Sequence, residues 1–103
     1  MTKSEITNAL HKALDKHYKI YTFNSNKPMP VGLKGLPDHL LISYKGVKQY
    51  WLEVKIGKDT EKPDQKIFRE MIERLEVKSK GAINYRLVTE NNLDEVIQGI
   101  YGK

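Results

Sequence analysis

Apolar residues recur along this chain with two different spacings. Spacings of three and four residues, typical of amphipathic helices, predict a first helix over 4–16, a second beginning at Pro63 and a short last helix after Asn92. Shorter apolar runs, typical of strands, lie at 19–23, 40–42, 49–56 and 82–88. The resulting order, α-β-β-β-α-β-α, predicts an α/β fold in which a central sheet is flanked by helices.

The connections predict how the strands pair. The second strand ends close to Gly46 and the third follows at once, so we expect a tight β-hairpin with Gly46 at positive φ. The last strand follows a helix, and such a crossover returns the chain parallel to the preceding strand. The sheet is therefore expected to be mixed. The segment 24–35 is rich in Gly, Pro and Asn, which predicts a loop.

The second helix has an apolar stripe that should face the sheet. The stripe consists of Ile67, Phe68, Met71, Ile72 and Leu75, and the charged residues Lys66, Arg69, Glu70, Glu73 and Arg74 should point mostly outward. Gln65 precedes Phe68 by three residues and Ile72 by seven, which places it on the sheet-facing side. A polar residue there is a candidate for function, as a group that orients a lysine, a water or a phosphate.

Three polar side chains converge at one end of the predicted hairpin. The side-chain period of a strand is two, so Glu53 and Lys55 point to one face while Leu52 and Val54 point to the other. Pairing with the preceding strand brings Asp38 near them. Two carboxylates suit a hard cation such as Mg²⁺, which takes one or two protein carboxylates, waters and phosphate oxygens. A purely structural role for these residues stays open as an alternative, because Pro-Asp is common in turns and Glu-x-Lys is common on solvated strands.

Composition favours a small domain with a polyanionic partner. The 103 residues suffice for a single domain over 1–103, and 18 Lys and Arg against 13 Asp and Glu give a net charge of +5. The chain has no cysteine, which excludes disulfides and thiolate sites. With no membrane-length apolar run, we expect an intracellular, cytoplasmic protein that has no membrane partner. No pattern indicates an organic cofactor.

The order of these motifs resembles the PD-(D/E)XK nuclease superfamily. Pro37-Asp38 matches the PD, and Glu53-Val54-Lys55 matches the E-X-K. Together with Glu5 in the first helix, Gly35 to Asp38 as G-x-P-D, and Pro63-Asp64-Gln65 opening a helix, the chain is similar to the VRR-NUC family of virus-type replication-repair nucleases. The resemblance runs from about Glu5 to Val96.

This resemblance implies a restriction-endonuclease-like core and a Mg²⁺- or Mn²⁺-dependent endonuclease. Asp38 and Glu53 would be metal ligands together with the main-chain carbonyl of Val54, and Lys55 would position the attacking water. It also implies a homodimer that cuts branched DNA, in particular a four-way (Holliday) junction, in a bacterial or phage-infected cell. Helix positions Ala9, Ala13, Ile97, Ile100 and Tyr101 are candidates for the dimer surface.

Auxiliary residues complete the expected site. Related nucleases often place a glutamate of the first helix at the metal site, which makes Glu5 a catalytic candidate, although Thr2-Lys3-Ser4-Glu5 also has the pattern of a capping box. Lys27, Lys34 and Lys58 are candidates for contacts with nucleic-acid phosphates. The rival interpretations are a non-catalytic nucleic-acid-binding module on the same fold, a less structure-selective DNA or RNA nuclease, and a scaffold or inhibitor protein.

Overall fold

A computed structural model describes residues 1–23 and 34–101. The helices are α1 (Lys3–Leu14), α2 (Pro63–Lys78) and α3 (Leu93–Tyr101), and the strands are β1 (Tyr18–Thr22), β2 (His39–Ser43), β3 (Gln49–Lys55) and β4 (Ile83–Thr89). The predicted order α-β-β-β-α-β-α is confirmed. Most of the predicted loop over 24–35, including Lys27, lies outside the described residues.

The four strands form one mixed sheet in the order β1-β2-β3-β4. The first three are antiparallel, and β4 returns parallel to β3 after the α2 crossover, as predicted. The pairing of β2 with β3 begins at His39 opposite Leu52. Glu53 and the residues after it therefore extend past the start of β2, which leaves an edge of β3 free for Asp38.

The hydrophobic core lies between one face of the sheet and helices α1 and α3. Its buried members are Ile6, Leu10, Leu14, Tyr18, Leu41, Tyr50, Leu52, Val54, Val88, Leu93 and Ile100. Ala9, Ala13 and Ile97 pack against this cluster. The helix positions considered for a dimer surface are thus largely used inside the chain, with Tyr101 left exposed and edge-on to His17.

His39 has a structural role in this core. The ring is almost fully buried, with Nε2 within 3.2 Å of Thr7 Oγ1 and Nδ1 within 3.0 Å of Thr22 Oγ1. Its side chain therefore points away from Asp38, and it ties α1 and β1 to β2. Burial lowers the pKa of His39, against the raising effect of the Asp38 charge.

The turn between β2 and β3 differs from the prediction. Gly46 is not among the glycines with positive φ, and the loop spans four residues after Ser43, whose N–H donates to the carbonyl of Lys48 at 3.0 Å. The Ser43 hydroxyl accepts from the Gly46 amide at 3.0 Å and from the Lys45 amide at 3.4 Å. A side chain that satisfies the turn amides makes the two-residue, positive-φ turn unnecessary.

Helix α2 packs on the other face of the sheet, against β4, with an orientation that the apolar stripe did not predict. Ile72 is buried and Phe68 contacts Trp51 of β3, as the stripe predicted, but Ile67, Met71 and Leu75 are 60%, 49% and 40% exposed. Polar contacts determine the orientation instead. Glu76 accepts from the Tyr85 amide at 3.2 Å and from Arg86 at 2.9 Å, and at the other end Gln65 reaches β3.

Over residues 1–23 and 34–101, no helix has the length and apolar character needed to cross a membrane.

Candidate active site

Asp38 is held against the free edge of β3 immediately before β2 begins. Its Oδ2 accepts a hydrogen bond from the backbone N–H of Val54 at 2.8 Å. The N–H and C=O groups of one strand residue point to the same side, so the Val54 carbonyl also faces this edge. The backbone carbonyl of Asp38 accepts from the Phe23 amide at 2.8 Å, which extends the ladder between β1 and β2. The preceding Pro37 is buried, so the Asp38 carboxylate and backbone are both anchored.

Glu53 is a buried carboxyl group beside Asp38. Only 3% of its surface is exposed. Burial, followed by the negative charge of Asp38 and a hydrogen bond with it, raises the pKa of Glu53 to about 8, while the positive charges of Lys55 and Lys3 oppose the shift. Ionising both of two adjacent carboxyl groups that have little contact with solvent costs free energy, so this site favours a bound cation or a retained proton.

Lys55 and Gln65 connect this carboxyl pair to α2. Lys55 Nζ lies 3.7 Å from Glu53 Oε1 and donates to Gln65 Oε1 at 2.9 Å. Gln65 Oε1 also accepts from the Lys62 amide at 2.9 Å, and Gln65 Nε2 lies 3.5 Å from Glu53 Oε1. Gln65 therefore performs the backbone half of a capping box and orients Lys55 at the same time. Lys62 cannot supply the other half, because its ammonium accepts no hydrogen bond.

A glycine sets the distance between the loop that carries Asp38 and the start of α2. Gly35 has a φ of +91°, and a Cβ at this position would lie 2.6 Å from the carbonyl oxygen of Asp64. Only a residue without a side chain fits such an approach without strain. Asp38 follows Gly35 by three residues and Gln65 follows Asp64 directly. The close contact between Gly35 and Asp64 therefore limits the distance between the Asp38 and Gln65 backbones. In the sequence, Gly35 stands out only as the first residue of the G-x-P-D motif, which gives no sign of this role.

A cavity of about 340 Å³ opens beside Glu53 and Lys55, between β4 and the segment leading into α2. Its wall includes Arg69, which sequence reasoning placed outward. Arg69 donates to Glu61 Oε2 at 2.7 Å and Oε1 at 3.1 Å, a bidentate ion pair that braces the segment before α2. The spacing of Gln65, Arg69, Ile72 and Glu76, which is four, three and four residues, is a helical face and is the signal that could have located Arg69.

The other predicted site residues have their contacts elsewhere or lie outside the described part. Glu5 closes a capping box with Thr2, with Oε1 accepting from the Thr2 amide at 2.9 Å and the Glu5 amide donating to Thr2 Oγ1 at 3.1 Å. These backbone and hydroxyl hydrogen bonds lower the pKa of Glu5. Lys34 and Lys58 are exposed, next to Gly35 and in the turn after β3 respectively.

The donor set at Asp38 and Glu53 fits a divalent cation that keeps part of its water shell. Two carboxylates and the Val54 carbonyl offer only oxygen atoms, which Mg²⁺ and Mn²⁺ prefer. Burial beside Asp38 raises the pKa of Glu53, and a cation held by both carboxylates would oppose this shift. Within the described ranges, no group of three or more His, Asp or Glu side chains is placed to hold a metal ion, so waters or substrate oxygens would have to complete the shell.

The site therefore consists of a carboxyl pair, an adjacent ammonium and an orienting amide at the end of a mixed sheet in an α/β fold. No protein-family model matches the sequence, and comparison with curated proteins finds no match.

Proposed function

We propose that this protein is a metal-dependent DNA endonuclease of the PD-(D/E)XK type, similar to the VRR-NUC family. The observation that carries the proposal is the position of Asp38, whose carboxylate is bonded to the Val54 amide beside buried Glu53. Lys55 lies next to the pair with Nζ 3.7 Å from Glu53 Oε1. A carboxyl pair with an adjacent ammonium is a set of groups suited to metal-assisted phosphodiester hydrolysis.

Each residue has a distinct proposed task. Asp38 and Glu53 would hold Mg²⁺ or Mn²⁺ with the Val54 carbonyl, and the cation would supply charge stabilisation at phosphorus and a lower pKa for water. Lys55, oriented by Gln65 Oε1, would donate a hydrogen bond to the attacking water and fix its direction. Gln65 would act as a positioning residue, because its side chain contacts Lys55, Glu53 and the Lys62 amide.

The proposed reaction is simple hydrolysis. One phosphorus–oxygen ester bond breaks as a bond from the water oxygen to phosphorus forms. The water releases one proton and the departing alkoxide takes one up. During this exchange Lys55 would hold the attacking water in line with phosphorus through its hydrogen bond.

The substrate that we propose is branched DNA, cut by a homodimer. The net charge of +5 favours a polyanion, and exposed Lys34 and Lys58 lie close in sequence to Asp38 and Lys55. The described part of one chain has one such carboxyl pair, so paired incisions in a four-way junction need two copies. Two-fold symmetry of a dimer would match the approximate two-fold symmetry of the junction.

Cleavage assays with matched variants test this proposal. Purified protein is incubated with duplex, single-stranded, flap and four-way-junction DNA, in Mg²⁺, in Mn²⁺ and in EDTA. We expect metal-dependent cuts that are fastest in the junction, and losses of about 10²-fold or more for Asp38→Asn, Glu53→Gln and Lys55→Ala. Glu95→Gln, at an exposed position of α3, serves as the charge-matched control. Cleavage by folded Glu53→Gln at the normal rate would refute the site, and salt-sensitive DNA binding without any cleavage would leave a binding module instead.

A further inference from the structure

The exposed apolar residues of α2 form a continuous stripe. Ile67, Met71 and Leu75 follow one another at intervals of four residues and are 60%, 49% and 40% exposed. With 3.6 residues per turn, these three residues and two charged ones, Asp64 and Lys78, fall within an arc of about 80°. We call this set the α2 stripe. It has an acidic residue at the amino end, three apolar residues in the middle and a basic residue at the carboxyl end.

The apolar surface continues from the α2 stripe onto the sheet. Trp51 contacts Phe68 of α2 with ring centroids 5.0 Å apart, and Trp51 is paired with Leu40, which is paired with Tyr21. Paired residues of neighbouring strands share a face, so Tyr21 and Leu40 lie on the α2 side of the sheet. Tyr21 is exposed there, and so is Ile42, two residues along from Leu40. Among the described residues, helix α2 covers β4, while Tyr21 of β1 and Ile42 of β2 stay exposed on the same face. Exposed apolar residues that lie side by side are typical of an interaction site.

We propose that a second copy of this chain covers the α2 stripe, with the two α2 helices packed antiparallel across a two-fold axis at Met71. This arrangement places Met71 opposite Met71 and Ile67 opposite Leu75 of the other copy. It also places Asp64 opposite Lys78 of the other copy, twice, because the interface is two-fold symmetric. Neither charged residue forms an ion pair with any residue in the described part of the chain.

Charge decides between the two directions in which the helices could meet. A parallel pair would set Asp64 against Asp64 and Lys78 against Lys78, and like charges across an interface oppose association. An antiparallel pair makes both contacts attractive and also aligns the helix dipoles favourably. The stripe is therefore complementary to itself in one direction only.

The inference rests on the proposed function in one respect, since it names the partner that paired incisions require. Gln65 links the amino end of each α2 to its own carboxyl pair. In an antiparallel pair these amino ends lie at opposite ends of a helix of 16 residues, which is about 24 Å long at 1.5 Å per residue. The two sites would then face separate strands of a branched substrate.

Cysteine cross-linking in the absence of DNA and metal tests the arrangement directly. The chain has no cysteine, so a single introduced thiol gives an unambiguous product. The axes of packed helices lie about 8–10 Å apart, which brings facing Cα atoms within disulfide range. We expect Met71→Cys to form a disulfide-linked dimer under mild oxidation. Val77→Cys is the matched control, because Val77 is 79% exposed but lies about 120° around the helix from Met71.

Two further cysteines establish the direction. A mixture of Ile67→Cys and Leu75→Cys should give the mixed dimer, whereas either variant alone should form no disulfide-linked dimer. Cross-linking of Ile67→Cys to itself would indicate a parallel pair and overturn the arrangement. All of these positions are exposed, so the variants should keep the fold, which circular dichroism verifies.

Sedimentation of the unmodified chain provides the second measurement. We expect a particle of twice the 12.0 kDa chain mass, reduced to one chain mass by Met71→Glu and unchanged by Val77→Glu. A chain that sediments as a monomer at every concentration refutes the dimer, and loss of DNA affinity in a Met71→Glu variant of such a monomer would assign the surface to DNA. Metal titration of Met71→Glu separates the two proposals, because the Asp38 and Glu53 site lies within one chain and should bind Mn²⁺ with or without the dimer.

Discussion

Gln65 Oε1 accepts two hydrogen bonds, from Lys55 Nζ at 2.9 Å and from the Lys62 amide at 2.9 Å. The first contact orients the ammonium beside Glu53, and the second begins α2. The same amide oxygen therefore fixes both the start of α2 and the position of the Lys55 ammonium. Because Nε2 of the same side chain faces Glu53 Oε1, a change at Gln65 disturbs both members of the Glu53–Lys55 pair.

Gln65→Ala should slow cleavage without weakening DNA binding. Loss of a group that orients a reacting residue typically costs about 10- to 100-fold, so we expect kcat to fall by that factor while KM changes little. Loss of the cap should also lower stability by about 1 kcal/mol. Single-turnover cleavage and thermal melting measure the two effects, with Gln98→Ala on the exposed side of α3 as the control. An unchanged kcat would remove Gln65 from the site.

The local pattern of apolar and polar residues was sufficient to predict the helices and strands and the cluster of Asp38, Glu53 and Lys55. The period of two along β3 is a geometric property of strands, so Glu53 and Lys55 had to share a face, and pairing with the preceding strand could bring Asp38 close to them. The crossover rule made β4 parallel. These inferences needed no knowledge of distant contacts.

The orientation of α2 could not be predicted in this way. The sequence placed Gln65 correctly on the sheet-facing side, but the apolar stripe predicted that Ile67, Met71 and Leu75 would be buried there too. Glu76 instead faces β4, where it accepts a hydrogen bond from the Tyr85 amide. Each of these partly buried hydrogen bonds stabilises an orientation that hydrophobic periodicity alone disfavours. The same limit applies to the turn at Gly46, where the Ser43 hydroxyl supplies an acceptor that a glycine-based prediction ignores.

Lys58 should contribute one phosphate contact to DNA binding. Each phosphate neutralised by a lysine adds about 0.9 to the slope of log affinity against log salt, so Lys58→Gln should reduce that slope by about 0.9. Lys34→Gln should act similarly. Lys12→Gln, at an exposed position of α1, removes the same charge and is the control. Binding isotherms over a range of salt concentrations, with Ca²⁺ in place of Mg²⁺ to suppress hydrolysis, measure the slope. Equal slopes for Lys58→Gln and Lys12→Gln would mean that net charge alone attracts DNA.

Substitution by alanine should have opposite effects on stability at Gly35 and at Gly99. At Gly35 the φ is +91°, and the methyl group of an alanine would lie 2.6 Å from the Asp64 carbonyl oxygen, so Gly35→Ala should lower the free energy of unfolding by about 1–3 kcal/mol. Gly99 lies within α3, and apart from its chain neighbours and the backbone of its own helix no atom of the described residues lies within 4 Å of such a methyl group. Gly99→Ala should therefore raise stability by about 0.5–1 kcal/mol. Urea denaturation distinguishes the two.

The Gly35→Ala variant also tests the coupling between the Asp38 loop and α2. If the close contact with Asp64 positions Gln65, cleavage by the folded variant should fall together with stability, whereas Gly99→Ala should cleave normally. A Gly35→Ala protein as stable as the unsubstituted chain would show that the loop moves aside at no cost.

The carboxyl pair should make metal-free stability depend on pH. The pKa of Glu53 is raised to about 8 in the fold, against 4.5 for an exposed glutamate. Between these values the folded chain retains a proton that the unfolded chain releases, so the contribution of Glu53 to stability is complete below about pH 4.5 and is lost as the pH rises through 8. The slope can reach about 1.4 kcal/mol per pH unit for a single proton.

Glu53→Gln isolates this contribution. When the unfolding free energies of the two proteins are compared at each pH, the effects of distant titrating groups such as His39 are the same in both and cancel. In EDTA, unfolding free energies measured from pH 5 to pH 9 should fall for the unsubstituted chain relative to Glu53→Gln as the pH rises. Mg²⁺ or Mn²⁺ should reverse the trend for the unsubstituted chain alone, since a cation competes with the proton and binds most tightly when Glu53 is ionised. A stability difference that stays constant with pH, and is not altered by either cation, would show that Asp38 and Glu53 neither share a proton nor hold a metal.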